Sequence, residues 1–205
     1  MFTLTRRGAV LAAAGLLAAG LSAAAPGGTA FAAGHTTATR TTTAATGADA
    51  QRQAALVAAV KRQAALHPNA SGRHICYAAH VQNIGWQTPV CDGAMAGTTG
   101  QSLRMEALDI AVSGVGGVCA DAHVQNIGWQ GWACAGDNVD VYVGTTGQSL
   151  RMEALQINVA SGTVCADAHV QNIGWQGWAC AAAGSTAVVG TTGQSLRMEA
   201  IELTV

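Results

Sequence analysis

The chain has 205 residues and a net charge of −1, half of its residues are hydrophobic, and only 4% are aromatic. Its charge is split: residues 33–73 carry five basic groups (Arg40, Arg52, Lys61, Arg62, Arg73) against Asp49, whereas residues 74–205 carry three arginines against ten carboxylates, +4 against −7. An acidic domain repels phosphate, which argues against nucleic acid as a partner.

Taken in chain order, residues 1–32 read as a signal peptide. Arg6 and Arg7 precede an Ala/Leu/Gly run from Ala9 to Ala25, and Ala30-Phe31-Ala32 is a small-x-small cleavage site. The Sec route is favoured over the twin-arginine route, because Gly8 and Ala9 stand where a bulky apolar residue is wanted after the arginine pair. About 15 apolar residues before Pro26 fall short of the ~20 needed for a stable transmembrane anchor. Residues 33–48 form a flexible Thr/Ala linker. Residues 49–66 are predicted to be one short α-helix, with Thr46 and Asp49 in a capping pattern and Leu56, Val60 and Ala64 in one narrow apolar stripe. His67-Pro68 ends it, and 67–73 is a second linker.

Residues 74–205 hold three repeats, at about 74–114, 117–161 and 163–205. Each contains a cysteine pair fifteen positions apart: Cys76 with Cys91, Cys119 with Cys134, and Cys165 with Cys180. A pair inside every copy predicts three intra-repeat disulfides and an oxidising destination. Repeat 1 has a shorter connection, since Cys91 lies six residues before Gly97 whereas Cys134 and Cys180 lie ten before Gly144 and Gly190. Each unit ends in GTTGQSLRMEA and an alternating tail, such as Leu155, Ile157 and Val159 between Gln156 and Asn158, which predicts a strand with one buried face. Strict alternation would place Arg104/Glu106, Arg151/Glu153 and Arg197/Glu199 on that core-side face unless a bulge intervenes, so they are expected to form structural ion pairs.

If Cys119 faces Cys134 across a hairpin, Asp121 faces Trp132, His123 faces Gln130, and Val124 faces Trp129. Trp86, Trp129 and Trp175 then belong to the structural core. Trp132 and Trp178 become exposed platforms beside Asp121, His123 and Gln125, and beside Asp167, His169 and Gln171, with His80 and Gln82 the counterparts in repeat 1. In repeat 1, Ala78 and Pro89 replace the Asp/Trp partners together, as a contacting pair would. Aromatic faces beside amides and carboxylates suit sugar rings. No catalytic residue, metal ligand set or cofactor is nominated: the disulfides consume every thiol, and Asp-x-His offers only two ligands.

The peptides AHVQNIGWQ and AGTTGQSLRMEAL resemble the clostridial hydrophobic, conserved-tryptophan (ChW) repeat family. His80 to Trp86 and Gly97 to Glu106, with their copies, carry the resemblance. It implies a secreted or cell-surface protein that binds polysaccharide or another surface component; the paired cysteines are not part of the family pattern. The fold expected is all-β with pseudo-threefold symmetry and about four strands per unit, β-prism-like with a β-trefoil as the alternative. The function expected is a secreted, non-catalytic binding module whose partner is a polysaccharide or cell-envelope component. The alternatives are a structural module or one that binds a surface protein, then a cell-wall hydrolase.

Overall fold

The computed structural model describes residues 47–68 and 71–205. The expected signal peptide and the linker as far as Thr46 lie outside the described residues. Helix α1 runs Gly47–Leu66, starting two residues before the expected Asp49, and buries Leu56 and Val60.

Five strands, not four, form in each repeat. Repeat 1 has β1 (His74–Val81), β2 (Gly85–Trp86), β3 (Val90–Cys91), β4 (Ala96–Gly97) and β5 (Met105–Ser113). Repeat 2 has β6 (Val118–Val124), β7 (Gly128–Trp129), β8 (Ala133–Ala135), β9 (Asp140–Gly144) and β10 (Met152–Val159). Repeat 3 has β11 (Thr163–Val170), β12 (Gly174–Trp175), β13 (Ala179–Ala182), β14 (Ala187–Gly190) and β15 (Met198–Thr204). The extra strand arises because the return leg of each hairpin is broken in two.

The strands build three five-stranded antiparallel sheets. The first and last strands of a repeat pair along their length at the centre of each sheet. The fourth strand leaves its own repeat: β9 pairs with β5, β14 with β10, and β4 with β15. Each repeat thus completes the sheet of the one before it, and repeat 1 completes that of repeat 3. Three five-stranded sheets around one shared core bear out the expected all-β class with three repeats.

Period-two alternation decides what enters that core. Ile75, Tyr77, Ala79 and Val81 point inward from β1, as do Val118, Ala120, Ala122 and Val124 from β6. Leu155, Ile157 and Val159 do so from β10. A register shift between the paired long strands of every sheet, for example between Met152 and Ala154, interrupts the tail strand. This bulge corrects the strict-alternation expectation: Met105, Met152 and Met198 are fully buried in the core, and each glutamate contacts the histidine of the outer face. The Arg–Glu pairs do form, at 2.6–2.8 Å.

The three disulfides are Cys76–Cys91, Cys119–Cys134 and Cys165–Cys180. They fit an oxidising, extracytoplasmic environment. No helix among the described residues is long and apolar enough to cross a membrane.

Candidate functional site

Each repeat presents the outer face of its hairpin, the side of β1, β6 or β11 that carries Cys, Asp or Ala, and His. The disulfide register holds at its open end, where Cys119 opposes Cys134 and Ala120 opposes Ala133. Beyond that the register slips by one: His123 opposes Trp129 and Val124 opposes Gly128. The return leg accommodates the extra residue in the stretch Gln130–Trp132.

A one-residue slip moves side chains to the opposite face, and this corrects the expected division of the tryptophans. Trp129 and Trp175 are each 39% exposed and are not core residues. Their rings pack edge-on against His123 and His169, with centroids 5.3 and 5.5 Å apart, and Trp86 does the same against His80 at 5.3 Å. Trp132 and Trp178 ride on the irregular segment and are exposed by 44% and 47%. Both kinds of tryptophan therefore contribute open aromatic surface in repeats 2 and 3.

The slip also explains the aspartates. Asp121 does not face Trp132 as a partner; its carboxylate accepts the backbone N–H of Gln130 (3.0 Å) and the side-chain amide of Gln156 (3.0 Å). Asp167 accepts N–H groups from Gln176 (3.1 Å) and Gly177 (3.0 Å). Both aspartates are buried, and these internal bonds stabilise the bulge. Each histidine places Nδ1 3.0–3.2 Å from its glutamate, and the same glutamate holds the arginine. Gln82, Gln125 and Gln171 lie at the hairpin turn, where their backbone N–H groups donate to the carbonyls of Arg104, Arg151 and Arg197.

The next glutamines were missed from the sequence. Gln87, Gln130 and Gln176 accept, through Oε1, the N–H of Gly97, Gly144 and Gly190 at 2.7 Å, and donate from Nε2 to the same glycine carbonyls at 3.0–3.2 Å. The available signal was their place directly after the tryptophan in every copy.

Repeat 1 differs because α1 covers its outer face. Leu56 and Val60 pack on Cys76 and Ala111, with Ala59 and Cys91 alongside. Arg52 pairs with the buried Asp109, and its guanidinium lies 4.2 Å from the Trp86 ring centroid and 5.4 Å from that of Tyr142. Gln63 donates to Asp92 (3.0 Å), which also contacts His74 (2.7 Å). Burial pushes the Asp109 carboxyl up to about 7, against the pull of Arg52. A groove of about 310 Å³ remains beside the helix, lined by Arg52, Ala55, Trp86, Gln87, Thr88 and Pro89.

Matching positions show why the helix chooses repeat 1. Its seat has Ala78, Ala111 and Pro89, where repeat 2 has Asp121, Asn158 and Trp132 and repeat 3 has Asp167, Thr204 and Trp178. Small apolar residues accept the stripe of α1, whereas the polar replacements disfavour it. The joint change of Ala78 and Pro89 thus goes with the helix seat. Repeats 2 and 3 keep their faces open, and beside the Cys119–Cys134 disulfide lies a hollow of about 380 Å³ that includes Gly117, Asn158 and Ala160. Among the described residues no group of three or more His, Cys, Asp or Glu could hold a metal ion.

The family model described as Clostridial hydrophobic W matches residues 80–114, 123–160 and 169–205. No curated protein and no solved structure matches the chain.

Proposed function

Because this chain belongs to the Clostridial hydrophobic W repeat family, we propose that it is a secreted, non-catalytic repeat module that binds carbohydrate or cell-wall polymer through the outer faces of repeats 2 and 3. The observation that carries this reading is the contrast between faces. Trp129, Trp132, Trp175 and Trp178 are 39–47% exposed, while α1 covers the matching surface of repeat 1. Sugar rings stack on such indoles through their C–H faces, and Asn158 or Thr204 supplies polar contacts nearby. Two linked weak sites raise avidity when a polymer spans both.

Glycan-array and polysaccharide pull-down binding test the reading. Trp132→Ala and Trp178→Ala are each expected to weaken binding about tenfold, as loss of one stacked ring predicts, and the double variant to lose it. Absence of binding to every envelope glycan would sink the proposal. A second reading, a structural or protein-interaction module, is favoured by the helix already seated on repeat 1. Retention of a surface protein by the Trp132/Trp178 faces, without any glycan, would establish it instead.

A further inference from the structure

The open faces of repeats 2 and 3 differ in charge at one register position. On the tail strands, Gln156 opposes Asp121 and Glu202 opposes Asp167. In repeat 1 the matching residue is Asp109, opposite Ala78. Asp109 and Trp86, with Tyr142 alongside, hold the guanidinium of Arg52. The fold therefore shows what this pair of positions does when both are present: an indole and a carboxylate receive an organic cation. Repeat 3 repeats the pair with Trp175 and Glu202. Trp175 stands opposite His169 as Trp86 stands opposite His80. Repeat 2 keeps Trp129 but substitutes the neutral Gln156, whose amide is committed to Asp121 at 3.0 Å.

We propose that the repeat 3 face takes a saccharide unit bearing a free amino group, with its ammonium over Trp175 and against Glu202. This rests on the carbohydrate reading above and adds the ligand's charge to it. A saccharide suits the site better than a basic helix. Asp167, Thr204 and Trp178 stand where the helix seat of repeat 1 has Ala78, Ala111 and Pro89, and a polar lining penalises an apolar helix stripe. Repeat 2, lacking the second carboxylate, takes a neutral unit.

The test is calorimetric titration of the purified protein at pH 5.5 and fixed salt with a β-1,4-glucosamine hexamer and with its N-acetylated form. Wild type is expected to bind the amino form about tenfold or more tightly than the acetylated one, a difference of about 1.4 kcal/mol. Glu202→Gln is expected to bring the amino hexamer's affinity down to that of the acetylated one, and Gln156→Glu to increase the preference. Asp137→Asn removes the same charge on a loop, where Asp137 bonds Gly114 and Val115, and is expected to keep the preference. Circular dichroism checks that each variant is folded.

An equal amino preference in wild type and Glu202→Gln overturns the inference, as does binding of other glycans with none of the amino hexamer. Capture of a peptide of residues 47–66 at Trp175 and Glu202, in place of the amino hexamer, also overturns it and assigns a helix dock. Loss of all glycan binding is the separate result that removes the carbohydrate reading itself.

Discussion

Asp109 is a carboxylate buried under a helix, and two opposing influences act on it. Its pKa is raised to about 7: burial raises it most, Arg52 lowers it and Asp140 adds to the rise. An unfolded aspartate titrates near 3.9, so between about pH 4 and pH 7 the native chain holds a proton that the unfolded chain has released. The stability this group contributes is complete below about pH 4 and is lost as pH rises through 7. Urea unfolding across that window should show declining stability, and Asp109→Asn should flatten the decline. An unchanged slope would mean that other groups set the pH dependence. From the sequence, Arg52 was only one of the basic residues ahead of an acidic domain. Its pairing needs a buried partner 57 positions away, beyond any local periodicity.

At the scale of elements, the junctions between repeats rest on the tail bulge and the donated strand. The bulge leaves the Glu106 carbonyl to accept the Thr145 N–H at 2.8 Å, with the same bond from Thr98 to Glu199 and from Thr191 to Glu153. Gly144, at φ 92°, makes this approach possible, because a Cβ there would lie 2.5 Å from the Glu106 carbonyl oxygen. Gly144→Ala combines positive-φ strain with a backbone clash, and is expected to cost about 2 kcal/mol or more, read as a lower urea midpoint. A shift under about 0.5 kcal/mol would show that the donated strand moves aside. The tail strands were legible because alternation is local. The bulge was legible only as a condition on their parity. The slip in the hairpin was not, since a cysteine spacing of fifteen fits either of two registers one residue apart, which put Trp129 on opposite sides.

For the whole molecule, closure of the ring sets repeat 1 apart. Its shorter connection leaves β4 two residues, against five in β9 and four in β14. Tyr77 bridges the closing junction: its hydroxyl donates to the Ala94 carbonyl at 2.5 Å and accepts the Leu203 N–H at 2.8 Å. Repeats 2 and 3 have Ala120 and Ala166 there. Tyr77→Phe leaves the Leu203 N–H without its hydroxyl acceptor and is expected to cost about 1–3 kcal/mol. Hydrogen exchange at Leu203 should quicken more than at Ile157, which occupies the matching position of repeat 2. Equal change at both would deny the junction a separate role.

The sequence by itself determined the three repeats, the three disulfides, the helix, the all-β class and the Arg–Glu pairs. Each depends on a short spacing or a period of two, which a single chain segment carries whole. Only the tertiary structure decided which repeat completes which sheet, which face the helix covers, and which tryptophans stay open. Those outcomes depend on contacts between distant segments and on a one-residue change of register, where packing and buried charge outweigh local pattern.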